Sequence, residues 1–404
     1  MIFRKSGAGK KEILYISYDG MLEPLGQSQV LAYLKSLAAN RSIHLISFEK
    51  SSDWKNVTER EHIAQQITNA GIFWHPLRYH KRLPALATAW DVLCGISLGL
   101  CLVLRNPISV VHARSYVPSV MAIAIKWLTG VKYIFDMRGF WADERVDGGL
   151  WPHNGIMYRI AKCFEQQFLL KADHVISLTH AAVIEMRRFQ FLQAAMPPFS
   201  VIPTCVDLSR FKPMRIQPSN GTLVVGYVGT VGTWYLFDEV AKCFSLILSL
   251  RPDARFMIVN RNEHVYIRDR LAVAGIPNSV VEIFSSNHTQ VPRRMSRMDV
   301  GIFFIKPVFS KQASAPTRLA EFLGCGIPCL SNSGVGDMAG VLEGDNVGVA
   351  LNAFDDESML VALRRLISMV GDPKTSARCV ESARKHFSLN DGVRIYEKIY
   401  QTLI

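Results

Sequence analysis

Thr317, Arg318 and Glu321 bring a hydroxyl, a cation and a carboxylate close together within the run from Ser314 to Pro328. On a helix, positions three and four apart share one face, so the three side chains would be neighbours. Pro316 suits a first helical position, and Ser314 lies where a capping residue would. A helix starting there would aim free backbone N–H groups at a phosphate. Arg318 would add positive charge, and Glu321 would accept hydrogen bonds from sugar hydroxyls. That grouping suits a nucleotide. The plain alternative is an ordinary capped helix with an exposed salt bridge. Gly324 and Gly326 should end the helix, and Ile327–Leu330 reads as a short buried strand after a tight turn.

The elements that must position these residues follow from the rest of the chain. Its 404 residues exceed a single compact core and predict two domains. Hydrophobic residues at 49% and charged residues at 20% exclude a disordered chain. Ile13–Ser17, His44–Phe48, Ser109–His112, Lys132–Asp136, His174–Leu178 and Ser200–Pro203 read as strands separated by helix-length segments. The first is followed by a loop with Gly20 and Gly26. A polar linker from Asp207 to Gly221 then gives way to a second series: Leu223–Val228, Arg255–Val259, Val280–Phe284, Val300–Phe304 and Pro328–Leu330. Strands alternating with helices predict an α/β chain with two doubly wound parallel sheets. The expected division is an N-terminal domain over residues 1–208 and a C-terminal domain over 209–386. A C-terminal amphipathic helix (387–404) would cross back to the first domain, with Val393, Ile395, Tyr396, Ile399 and Leu403 as its buried side chains. Two such sheets place the C-terminal ends of their strands at the cleft between them, where ligands bind.

The net charge of +12 favours contact with an anion, whether membrane lipid, nucleic acid or a phosphorylated substrate. Eight cysteines without a C-x-x-C pair read as reduced core thiols, and no signal-peptide core precedes the first strand, which predicts a cytoplasmic chain. The most apolar segment, Leu83–Leu104, is interrupted by Asp91 and preceded by His80, Lys81 and Arg82. Its uninterrupted part is short for a bilayer, so a buried or interfacial helix is expected rather than a span. With the basic residues beside it, the segment predicts reversible attachment to an anionic membrane surface.

Taken in order, the glycine-bearing first loop, the run Val201–Asp207, the Gly229 loop and the run from Ser314 to Pro328 resemble the retaining glycosyltransferases of family 4, which have the GT-B fold. The resemblance spans nearly the whole chain. It implies a transferase that moves a sugar, with retention, from a nucleotide-diphosphate donor to a cell-surface glycan or lipid-linked acceptor. The implied catalytic residues are Arg138, Arg318 and Glu321. Implied donor contacts are Gly26, Gly229, Thr230, Arg261, Lys306, Ser314, Pro316, Thr317, Arg318 and Glu321. His112 and Arg114, at the end of their strand, and Glu144 are expected to face the acceptor, although a lone strand-end histidine is more often structural. Glu321 matches the second glutamate of the family's E-x7-E signature, which contacts ribose.

Three positions depart from the pattern. Ala313 stands where the signature's leading glutamate would be. Thr230 and Tyr235 occupy the places of an Arg and a Lys that grip the diphosphate, which leaves Arg318, Lys306, Lys311 or Arg261 to compensate the charge. Arg138 replaces a histidine that approaches the donor sugar, and its alternative role is to pair with Asp136 and hold the loop. The chain has no D-x-D triplet, so no metal is expected. The resemblance implies no other cofactor and no nucleic-acid partner. A nucleotide-sugar 2-epimerase and a non-catalytic nucleotide-sugar-binding subunit remain alternatives.

Overall fold

The computed structural model describes residues 11–81, 84–214, 221–285 and 290–404. Arg82, Leu83 and residues 215–220 of the polar linker lie outside the described residues. The N-terminal sheet has seven parallel strands: β1 (Glu12–Ser17), β2 (Ile43–Glu49), β3 (Phe73–Arg78), β4 (Ile108–Arg114), β5 (Lys132–Asp136), β6 (His174–Ser177) and β7 (Phe199–Val201). Their order is β3-β2-β1-β4-β5-β6-β7. The C-terminal sheet has six: β8 (Val224–Val228), β9 (Arg255–Val259), β10 (Val281–Phe284), β11 (Val300–Ile302), β12 (Cys329–Asn332) and β13 (Gly348–Leu351), in the order β10-β9-β8-β11-β12-β13. Both are doubly wound and helix-covered, which is why central strands such as β1 are buried at every residue and read as continuous apolar runs.

Two strands go beyond the sequence expectation, and both are sheet edges. β3 carries Pro76, whose missing N–H is tolerated only where no further strand pairs with it. β13 is a four-residue strand that opens on Gly348 and, among the described residues, pairs only with β12.

Each strand order reverses at one point, between β1 and β4 in the first sheet and between β8 and β11 in the second. Such switch points open crevices beyond the strand ends. They set the loop after β1 and Arg114, the last residue of β4, on one side of the cleft. The Gly229 loop after β8 lies on the other.

The chain crosses between domains twice, side by side. Val206 N donates to Phe387 O (2.9 Å), and Leu389 N donates to Val206 O (3.3 Å). The helix Leu389–Leu403 then packs on the N-terminal domain, burying Tyr396, Ile399 and Tyr400 beside Tyr33 and Leu34. Tyr400, absent from the expected set, is fully buried, while Val393, Ile395 and Leu403 are half-buried.

The apolar segment forms the helix Pro84–Arg105. Asp91 lies on its sheet-facing side with no exposure, where it accepts from the Tyr18 hydroxyl (2.8 Å) and bonds His80 Nδ1 (2.6 Å). Gly95 and Gly99 continue that side, and an added Cβ would strike Met121 or Ile125 of the next helix. Length and composition alone would let this helix cross a bilayer, but one of its faces is docked on the domain.

Candidate active site in the interdomain cleft

The helix carrying the three expected side chains runs from Thr317 to Gly324. It begins one residue later than the sequence predicts: Pro316, with ψ at 120°, is the N-cap rather than the first helical residue, and it makes no side-chain cap. Ser314 does not cap either; its N–H donates to Lys311 O (3.1 Å). With no side-chain cap, the first-turn N–H groups have none of the partners that Ser314 was expected to supply.

Arg318 is buried against the glycine loop. Its guanidinium lies 3.8 Å from the Tyr235 ring centroid, and Nη2 donates to Thr230 O at 3.4 Å. Nη1, also buried, has no hydrogen-bond partner among the described residues. Gly229 makes room for this arrangement. Its φ of +108° is disfavoured for any side chain, and a Cβ there would overlap Arg318 Nη2. The loop is held by Asn260, whose Nδ2 donates to Gly229 O (3.0 Å) and Glu263 Oε2 (2.8 Å), while Glu263 Oε2 accepts from Val231 N (3.1 Å). We expect Gly229→Ala to displace the guanidinium and weaken donor binding about tenfold, the loss of one charge-assisted hydrogen bond. Calorimetric titration checks this, and unchanged affinity would detach Arg318 from the donor.

Glu321, one turn on, is buried too. Burial pushes its carboxyl up to about 7, against the pull of Arg318 and Arg210. Its charge therefore changes near neutral pH.

Across the cleft, Asp136 ends β5 and gathers a buried cluster. Tyr396 donates its hydroxyl to Asp136 Oδ2 (2.9 Å), and Arg138 Nη1 approaches Oδ1 at 3.9 Å. Burial alone would raise the Asp136 pKa, but Arg138, His112 and Arg114 outweigh it and hold the carboxyl down at about 2. Arg138 sits at a φ of 61°, a strained conformation of the kind that clusters at functional sites. Among the described residues its Nη1 has no hydrogen-bond partner, and neither has Nη1 of Arg114, whose Nε reaches Asp19 Oδ2 at 3.3 Å.

The domains touch through the turn just before the helix Thr317–Gly324. Lys311 Nζ bonds Glu144 Oε1 (2.7 Å) while lying 3.7 Å from the Trp234 ring centroid, and Ser310 N donates to Asp147 Oδ2 (3.0 Å). Phe309 stacks on Phe140 with centroids 5.2 Å apart. Thr179 Oγ1 donates to Gln312 O (2.6 Å), and Asp337 accepts from the His180 and Ala181 N–H groups at 2.7 and 2.9 Å. Gly336, at a φ of +46°, packs directly on Ser314 O.

The structure thus joins Gly229, Thr230, Arg318 and Glu321 on one wall, with Ser314, Pro316 and Thr317 at its lip. Arg261 and Lys306 are exposed nearby residues rather than buried contacts. Gly26 is set by packing: a Cβ there would collide with the Gly20 carbonyl. His112, expected on the acceptor side, is fully buried, with Nδ1 bonded to the Tyr400 hydroxyl at 2.7 Å. Burial lowers its pKa, and it buttresses Asp136 from behind. Glu144 pairs with Lys311, while Arg114 and Arg138 retain unpartnered donors. Tyr235, Asn260, Asp136 and Asp337 were not among the expected site residues; strand-end position alone would have singled out Asp136 and Asn260.

Residues 37–203 match a family model described as "Glycosyl transferase 4-like domain". No curated protein sequence matches the chain. Among solved structures, a sucrose-phosphate synthase from Thermosynechococcus elongatus aligns at 12% identity with a TM-score of 0.73, covering 98% of this chain and 99% of that one. A glycosyltransferase from Rickettsia africae aligns at 14% and 0.72, covering 98% of both chains. Anabaena Alr3699/HepE, in complex with UDP-glucose, aligns at 14% and 0.65, covering 97% of this chain and 99% of that one. At these identities the likeness is one of architecture, and it agrees with the strand orders above. The chain has the GT-B fold, with two parallel-sheet domains facing each other across a cleft.

Proposed function

We propose that the protein is a family 4 enzyme that transfers a sugar, with retention, from a nucleoside-diphosphate donor to a glycan or lipid-linked acceptor at the cytoplasmic face of a membrane. The observation that carries this reading is Arg318, a buried guanidinium with an unpartnered Nη1, fixed beside the Gly229 loop at the start of a helix. A buried guanidinium with an unsatisfied donor is costly, and a diphosphate would satisfy both it and the helix N–H groups. Arg318 is already held in place by Tyr235 and Thr230, so it needs no reorganisation as charge develops on the leaving phosphate. Glu321 would accept from ribose hydroxyls, and Arg138 and Arg114 would face the sugar and acceptor. In this scheme the chain's own cations neutralise the diphosphate. The UDP-glucose bound to the Anabaena structure makes UDP-sugars the first donors to try.

Thermal shift across nucleoside-diphosphate sugars, followed by transfer assays, tests the reading; no stabilisation by any donor would end it. Donor turnover with no acceptor present would favour the epimerase alternative. Tight donor binding without any turnover would favour the binding subunit.

Glu321 also sets a pH dependence. Its pKa is raised, so the carboxylate form that accepts hydrogen bonds predominates only above about 7. Donor affinity should therefore fall as pH drops through 7, and Glu321→Gln should flatten the profile. Parallel profiles for parent and variant would remove Glu321 from the ribose.

A further inference from the structure

We propose that the outer faces of helices Pro84–Arg105, Tyr116–Thr129 and Ile156–Lys171 form one docking surface for a bilayer containing anionic lipid. All three helices cover the same side of the N-terminal sheet. An ordinary surface helix turns polar residues to water. Here the outward side of Pro84–Arg105 carries Leu86, Trp90, Leu93 and Leu104, each more than half exposed, opposite its docked Asp91, Gly95 and Gly99 side. On the neighbouring helices Trp127 is 90% exposed, and Ile156, Ile160 and Phe164 are exposed as well. Between those two helices a groove of about 530 Å³, lined by Val120, Ile123, Trp127, Phe164 and Phe168, has the apolar lining that an acyl chain needs.

Charge selects the occupant. The three helices contain two carboxylates, Asp91 and Glu165, and both are buried, at 0% and 1% exposure. Their exposed charged residues are Arg105, Arg159 and Lys171, and Lys126 and Lys171 line the groove. Lys162 and Lys126 are paired with Asp143 and Asp173. A surface of apolar side chains framed by exposed cations complements an anionic bilayer, with tryptophans at headgroup depth. A second copy would bring the same cations face to face. The membrane attachment expected from residues 80–104 thus widens to a surface built from three helices.

Co-sedimentation of the full chain with phosphatidylcholine vesicles, with and without phosphatidylglycerol, tests this and needs neither donor nor acceptor. Its failure is therefore separable from failure of the transferase reading. The parent chain should bind the anionic vesicles and be released by high salt, because screening shortens the reach of the cations. The triple variant Trp90→Ser, Trp127→Ser, Phe164→Ser should lose at least about tenfold in partitioning, since each lost apolar insertion weakens interfacial binding. The pair Arg105→Ser, Lys171→Ser should lose the preference for anionic vesicles. Val361→Ser, an exposed apolar site on the other domain, should change nothing, and circular dichroism melts of all variants check folding. Absence of vesicle binding by the parent, or a folded triple variant that binds as the parent does, would overturn the proposal. So would a parent dimer that binds no vesicles and is dissociated by the triple substitution, because a second copy would then cover the face.

Discussion

Replacing Arg318 with alanine should lower kcat by about 10²–10³-fold, the range seen when one preorganised donor to a developing oxyanion is removed. The effect should fall mainly on kcat, because the cation is worth most when charge builds on the departing diphosphate. Arg318→Lys should recover little. An ammonium lacks the planar fork that lies over Tyr235 while reaching Thr230 O, and it has no second nitrogen set apart from that contact to meet a phosphate. The measurement is steady-state kinetics with the donor identified by thermal shift, alongside a thermal melt to show that the variant is folded. An unchanged kcat in a folded Arg318→Ala protein would pass the role to Lys306, Lys311 or Arg261.

Asp136→Asn should destabilise the fold by about 3–5 kcal/mol, the usual cost of removing one partner from a buried ionic group. The carboxylate stands among Arg138, Arg114 and His112 and accepts from Tyr396 of the C-terminal helix. The substitution would therefore loosen both the strained Arg138 loop and the returning helix. The sign of the pH effect follows from the direction of the shift. The folded pKa, about 2, lies below the ordinary 3.8, so the stabilisation is present above 3.8 and is lost as pH falls toward 2. Denaturant melts at pH 7 and pH 3 should show the parent losing part of its advantage over the variant at the lower pH. A variant as stable as the parent at pH 7 would mean that the cluster is not ionic in the folded protein.

The sequence makes the two sheets legible because their central strands are buried on both faces and stand out as apolar runs between helix-length segments. β3 and β13 escape for the same reason in reverse: edges tolerate Pro76 and a short strand opening on Gly348. Thr317, Arg318 and Glu321 could be placed on one helix by spacing alone. Pro316 could not be placed to the residue, since proline is at home both just inside and just outside a helix start. His112 misleads because a strand-end position fixes the end of the sheet but not the depth of the side chain, and Tyr400 lies 288 positions along the chain from it. Contacts across the cleft, Lys311 with Glu144 and Asp337 with the helix at His180, depend on how two domains meet. No local pattern encodes that.

The central claim, that a nucleoside-diphosphate sugar lies against the helix Thr317–Gly324, is tested most directly by calorimetry at pH 8 with the donor selected in the thermal-shift screen. At that pH the Glu321 carboxyl, with a pKa near 7, is largely ionised. The parent should bind one donor stoichiometrically. Folded Glu321→Ala should bind it about 5–150-fold more weakly, corresponding to about 1–3 kcal/mol for sugar hydroxyls left unpaired in a closed cleft. Equal affinity for parent and Glu321→Ala, or no binding of any nucleoside-diphosphate sugar by the parent, would contradict the account.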